Sequence, residues 1–208
     1  TVPKCISECG GIRIFGRRIK SLVFSTDVAI IKNVNADAII AVYPFTPQPS
    51  ITQAIISVSE VPVFVGVGGG MTNGDRSVRL AEFSEHQGAS GVVVNAPISN
   101  ETIAKMKAVV DIPVVTTIVS GDMDIAGRLA AGADILNVSG ASRTPEIVTK
   151  IRAEFPTVPI IATGGPREED ILRTIEAGAN AITYTPPTTG QLFADIMISH
   201  RKNFSHQD

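Results

Sequence analysis

Apolar residues fall along this chain in two alternating textures. Short, continuous blocks rich in Val, Ile and Ala, such as "GVVVN" from Gly91 and "VPIIAT" from Val158, alternate with longer polar segments whose apolar residues recur at three- and four-residue spacing. The short blocks have no polar face. That suits strands covered on both sides, so they predict a parallel sheet wrapped in helices. The longer segments include "SITQAIISVSE", "GDRSVRLAEFSEHQ", "SNETIAKMKAVV", "DMDIAGRLAA", "TPEIVTKIRAEF" and "REEDILRTIEA". Several open on Ser, Asp or Thr at an N-cap position and close before Gly or Pro, as helices do.

Two signatures repeat in step with this alternation. "GASGVVVNAP" from Gly88, "GADILNVSGA" from Gly132 and "GANAITYTPP" from Gly178 share a glycine-alanine step into a strand, and "NADAIIAVYP" from Asn35 is a copy with Asn in first place. Between them recur "VPVFVGVGGG" from Val61, "IPVVTTIVSG" from Ile112 and "VPIIATGGP" from Val158. With "SLVFS" and "DVAIIKNV" at the start and "QLFADIMISHRKN" as the last helix, the count reaches eight strand-helix units in 208 residues. Eight such units predict an α/β fold, a (β/α)8 TIM barrel, as one domain over 1–208; an open doubly wound sheet is the alternative, and the fourfold repetition favours closure. Residues 1–20 form an N-terminal extension in which "IRIFGRRIK" alternates about Gly16 like a hairpin, placed to cover the amino-terminal mouth.

Charge and composition remove several function classes. The formal net charge is -2 and "GRRIK" is the densest basic run, which argues against a nucleic-acid partner. No apolar run reaches the ~18 residues of a membrane span and no signal-peptide-like segment opens the chain, so a soluble cytoplasmic protein is expected. Cys5 and Cys9 form a lone C-x-x-x-C with no His nearby, too few ligands for a closed zinc site. His86 falls near a helix end and His200 and His206 in the tail, so no metal site is expected.

Barrel enzymes work at the carboxyl ends of their strands, and here that rim reads as polar but almost uncharged. Asp27 is the acidic residue nearest a strand end and is the candidate base, with capping of the following helix as its competing role. Asn95 and Asn137, with Thr163, are candidates for holding oxygens, and Tyr184 is the candidate acid. Tyr43, Thr117 and Ser139 also belong to the rim. Gly68, Gly69 and Gly70 in "GGGMTNGD" would let a ligand or a lid approach the backbone closely. The cations near the rim are Arg76, Arg143 and Arg167, whose planar forks suit phosphate or carboxylate.

Gly164 and Gly165 end the seventh barrel strand, and Thr188, Thr189 and Gly190 open the segment after the eighth. Backbone N–H groups and a helix start in those two places suit a phosphate. The pattern "ATGG" followed by "AGANAI" resembles the phosphate-gripping end of the ribulose-phosphate-binding type of barrel, as in keto-deoxy-phosphogluconate aldolases, thiazole synthases and flavin-binding barrels. The chain departs from them at Pro186 and Pro187, which have no N–H to donate. As a whole it is also similar to a small bacterial barrel family sometimes labelled hydrolase, although no G-x-S-x-G elbow and no rim histidine accompany that likeness.

Lys4, Lys20, Lys32, Lys105, Lys107, Lys150 and Lys202 fall before the first strand, on helices or in the tail, so no imine-forming amine is expected at a strand end. The expectation is a lyase or isomerase acting by proton transfer on a small phosphorylated carbonyl metabolite, without a cofactor. An FMN-dependent oxidoreductase, whose flavin phosphate the same loops would hold, a hydrolase and a non-catalytic phosphometabolite sensor stay open as alternatives. A homo-oligomer is compatible with each.

Overall fold

The computed structural model describes residues 1–204. A hairpin of β1 (Ile12–Ile14) and β2 (Arg17–Ile19) precedes eight strands: β3 (Ser21–Phe24), β4 (Ala38–Ala41), β5 (Val63–Gly68), β6 (Gly91–Val94), β7 (Val114–Ile118), β8 (Ile135–Val138), β9 (Ile160–Thr163) and β10 (Ala181–Tyr184). These eight are parallel and close into a barrel, with β10 paired to β3, so the open-sheet alternative is excluded. The helices are α1 (Val28–Asn33), α2 (Pro49–Val58), α3 (Gly74–His86), α4 (Asn100–Val109), α5 (Ile125–Ala131), α6 (Thr144–Glu154), α7 (Glu168–Glu176) and α8 (Thr189–Phe204). His206 lies outside the described residues.

The two repeating signatures have distinct structural causes. Gly88, Gly132 and Gly178 end helices in the left-handed region, at φ of +101°, +113° and +118°, where a side chain would be strained. The alanine that follows each, and Ala36 in the fourth copy, is buried against the barrel. The next polar residue ties down a neighbouring strand: Asp37, Asp134 and Asn180 accept the N–H of Ser21, Val114 and Ile160 at 3.0, 2.9 and 2.9 Å. The prolines of the second signature work in the same layer, since the carbonyls of Pro62, Pro113 and Pro159 accept from Ile39, Val92 and Leu136 at 2.9, 3.0 and 3.0 Å. Proline's missing N–H costs nothing at a strand's first residue.

Alternate residues of each strand fill the barrel. Leu22, Ala38, Ile40, Phe64, Val93, Val115, Ile135, Ile161 and Ala181 form one buried cluster with Ile12, Ile14 and Ile19 of the hairpin, which therefore plugs the amino-terminal end. Phe64 is fully buried, and Gly91 opposite it makes room: a Cβ there would lie 2.4 Å from the ring. The other parity faces the helices in two further clusters. A 3-10 turn at Lys4–Glu8 joins this outer layer, with Cys5, Ile6 and Cys9 buried beside Ile171, Ala179 and Ile182. The last helix forms as expected but leaves Leu192, Phe193, Ile196 and Ile198 between 39% and 64% exposed.

Candidate active site

The carboxyl ends of β3 to β8 and the loops that follow them enclose a cavity of about 390 Å³. Its most buried polar side chains are Thr72, on the loop after β5, and Asn137 on β8, at 6% and 9% exposed. The Asn137 Nδ2 donates to Thr117 Oγ1 at 3.4 Å, an alignment set by the pairing of Thr117 with Asn137 across β7 and β8. The Asn137 Oδ1 is buried with no hydrogen-bond partner among the described residues. Asn95 and Ser139 complete the polar side, and Asn95 Oδ1 caps the Ala96 N–H at 2.8 Å. Arg128, buried behind them, donates to the carbonyls of Ile98 and Ala96 and to Asn100 Oδ1, which pins the loop after Asn95.

Gly68, Gly69 and Gly70 make a fixed turn at the edge of this cavity. The Gly69 N–H donates to Thr72 O at 2.8 Å, Ser77 Oγ donates to the same carbonyl, and a Cβ on Gly69 would lie 2.6 Å from the Asn95 backbone nitrogen. The glycines thus let β5's loop pack directly on the end of β6. Tyr43, on the loop after β4, also lines the cavity, and its phenol oxygen accepts the Gln48 N–H at 2.8 Å. Tyr43, Thr117 and Ser139 were expected on the rim without a role; Thr117 and Ser139 share the parity of the lumen-facing Val115 and Ile135, whereas Tyr43 follows Val42 out of that phase and no sequence signal selects it.

Two expected catalytic groups have other work. Asp27 caps α1 by accepting the Ala29 and Ile30 N–H groups on Oδ1, and its Oδ2 accepts the Thr189 N–H at 3.2 Å from the start of α8. Its contacts with Thr189 hold the carboxyl below the usual carboxylate range, which suits a structural anion and opposes a role as base. Tyr184 has the outward parity of β10 and packs against both helix-side clusters, away from the cavity that holds Asn137.

A second cavity, about 1010 Å³, opens over β9 and β10. Gly165, Thr163, Thr183 and Tyr184 line its strand side, and Glu168 and Asp195 also border it. Thr183 Oγ1 is buried there without a partner among the described residues. The helix start expected to grip phosphate is already satisfied: Thr188 N donates to Gln191 Oε1 at 2.8 Å, Gln191 N donates to Thr188 Oγ1 at 3.2 Å, and Asp27 takes Thr189 N. Thr188 and Gln191 form a reciprocal capping box. Gly190 is exposed in the first turn of α8, and Gly164 donates its N–H to Thr183 O at 3.3 Å. The rim arginines do not converge: Arg167 grips Asp170 through two 3.0 Å bonds, Arg143 pairs with Glu146 at 3.7 Å, and Arg76 lies on α3 beside Arg79 and Phe83.

A small-molecule cavity at the carboxyl ends of a closed (β/α)8 barrel defines the class. No family model matches the sequence, and no curated protein matches it. Among solved structures the fold is similar to a 2,3-dimethylmalate lyase described as a PEP mutase/isocitrate lyase superfamily member, with TM-score 0.69 at 14% identity over 96% of this chain and 82% of that one. It is similar to a phosphoenolpyruvate phosphomutase from Streptomyces platensis subsp. rosaceus, with TM-score 0.66 at 13% identity over 97% and 84% of the two chains. A phosphonopyruvate hydrolase solved with oxalate and magnesium matches with TM-score 0.64 at 15% identity over 91% and 82%. These findings correct the resemblance read at the phosphate end: the neighbours in fold named here are a PEP mutase/isocitrate lyase superfamily member, a phosphoenolpyruvate phosphomutase and a phosphonopyruvate hydrolase, not barrels of the ribulose-phosphate-binding type.

Magnesium, present in that last structure, calls for hard oxygen ligands and usually one or two carboxylates. The cavity holding Asn137 is lined by no carboxylate, and the described residues contain no group of three His, Cys, Asp or Glu side chains able to hold a metal ion. The donor set does not fit magnesium. No described helix is long and apolar enough to cross a membrane.

Proposed function

We propose that the protein is a lyase or isomerase that moves a proton on a small phosphorylated carbonyl metabolite bound in the barrel mouth. Asn137 carries this reading. A buried amide with one oxygen unpartnered costs free energy unless a ligand completes it, and this one faces a cavity at the catalytic end of a barrel. The remaining N–H of Asn137, with Thr117 and Asn95, would supply neutral donors to share the charge developing on a carbonyl oxygen as an adjacent bond to carbon breaks, while Asn137 Oδ1 accepts from a hydroxyl of the same substrate. Tyr43, whose oxygen already accepts from Gln48, is the side chain placed to pass its O–H proton between the substrate and water at the open top.

A phosphate would meet Gly165 and the unpartnered Thr183 hydroxyl in the cavity over β9 and β10, which Glu168 and Asp195 also line. The likeness in fold to lyases and a phosphomutase supports the reaction class. The reduced thiols Cys5 and Cys9 go with a cytoplasmic location. Thermal-shift screening against phosphorylated aldehydes, ketones and keto acids, followed by product analysis, tests the proposal. One compound should both raise the melting temperature and be consumed. Stabilisation without turnover would instead indicate a sensor, and no stabilisation by any compound would count against the site.

A further inference from the structure

We infer that the barrel mouth selects an uncharged, partly apolar carbon skeleton and does so without a metal ion; this rests on reading that mouth as the substrate site. The first ground is charge. Among the described residues, no Asp, Glu, His, Lys or Arg lines the cavity. A carboxylate entering it would exchange water for neutral groups only, and an ionised group without a paired charge is costly to desolvate. The missing carboxylate set removes the other way of binding an anion, through a bridging divalent cation.

The second ground is the division of the wall. The sector from β6 to β8 presents Asn95, Thr117, Asn137 and Ser139, whereas the sector from β3 to β5 and its loops presents Phe24, Val42, Phe45 and Met71 beside the polar Tyr43, Thr46 and Thr72. Phe24, Phe45 and Met71 are 39%, 70% and 91% exposed, so apolar surface at the mouth is left for a ligand to cover. At about 390 Å³ the cavity is near the small end of the range for ligand pockets. It therefore fits a short skeleton with a carbonyl, hydroxyl or amide on one side and a branched alkyl group on the other. The Asn137 Oδ1 calls for a donor on the polar side.

The test uses the intact chain, labelled with nitrogen-15, and follows the side-chain amide signals of Asn95 and Asn137. The probes are 3-methylbutanamide, its isosteric carboxylate 3-methylbutanoate, acetamide, and oxalate with and without magnesium. We expect 3-methylbutanamide to shift these signals saturably and to bind about tenfold more tightly than either the carboxylate or acetamide, the latter because each buried methylene adds to affinity. Phe45→Asp, at an exposed position, should abolish the advantage over acetamide. Tighter binding of 3-methylbutanoate, or of oxalate with magnesium, at the same signals would overturn the selection for neutral ligands and leave the mouth as the site. If no probe shifts either amide, the mouth itself has been misassigned and the inference fails with it.

Discussion

Asp27 shows how a residue in an apt position can have a structural role. It stands at the end of a barrel strand, where a general base belongs, yet three backbone N–H groups converge on its carboxylate and join α1 to the start of α8. Replacing it with Ala should cost about 1 kcal/mol, typical of a lost N-cap, and should speed amide exchange at Thr189. Because contact with Thr189 lowers its folded pKa below the ordinary 3.8, the carboxylate's contribution is present above that value and is lost as pH falls through the folded value. Asp27→Asn should keep most of the cap and remove this acid-side dependence; an unchanged acid limb in the melting profile would refute the assignment. The capping role was legible from "TDVAI", whereas "TTGQ" was read as a phosphate grip and not as the Thr188–Gln191 box. What the sequence could not show was that two caps meet, because Asp27 and Thr189 are joined only by closure of β10 onto β3.

At the level of elements, the hairpin and the strand glycines explain features that looked merely repetitive. The hairpin turns on Phe15 and Gly16, at φ of +46° and +80°, a two-residue connection with both central residues left-handed. Phenylalanine is poorly suited to that conformation, which costs an L-residue roughly 1–2 kcal/mol. Phe15 is 70% exposed, so little packing is lost on replacement. Phe15→Asn should raise the melting temperature by about 2 °C, measured by calorimetry. Gly91→Ala should do the opposite and cost about 1–3 kcal/mol, since the new methyl meets the ring of Phe64 inside the barrel. Equal stability of that variant and the parent in urea would show that the lumen is looser than described. The strand-helix alternation, the hairpin and the helix-ending glycines were all readable, because each is a local signal. The exposure of α8 was not: "QLFADIMISH" carries the apolar residues of a barrel-covering helix, while the turn at Lys4–Glu8 buries Cys5, Ile6 and Cys9 beside α7 and β10.

For the whole molecule, closure of the barrel converts a one-dimensional repeat into a site. Asn95, Asn137 and Thr117 were visible as polar residues at strand ends, but facing inward is a matter of parity and stagger that only the closed sheet decides. The same parity turns Tyr184 outward, which no local pattern in "AITYT" revealed. The phosphate expectation rested on N–H groups that look free in sequence and are met by Asp27 and Gln191 in the fold. The account thus stands on the neutral mouth around Asn137. Its most direct test is deuterium wash-in: phosphorylated aldehydes and ketones are incubated in D2O with the protein, and proton NMR follows the hydrogen beside the carbonyl. At least one compound should exchange with the parent protein, and Asn137→Leu should slow this by about 100-fold, the usual loss for one oxyanion donor, with the fold intact. Exchange at the parental rate in Asn137→Leu, or none with any compound in the parent, would contradict this expectation.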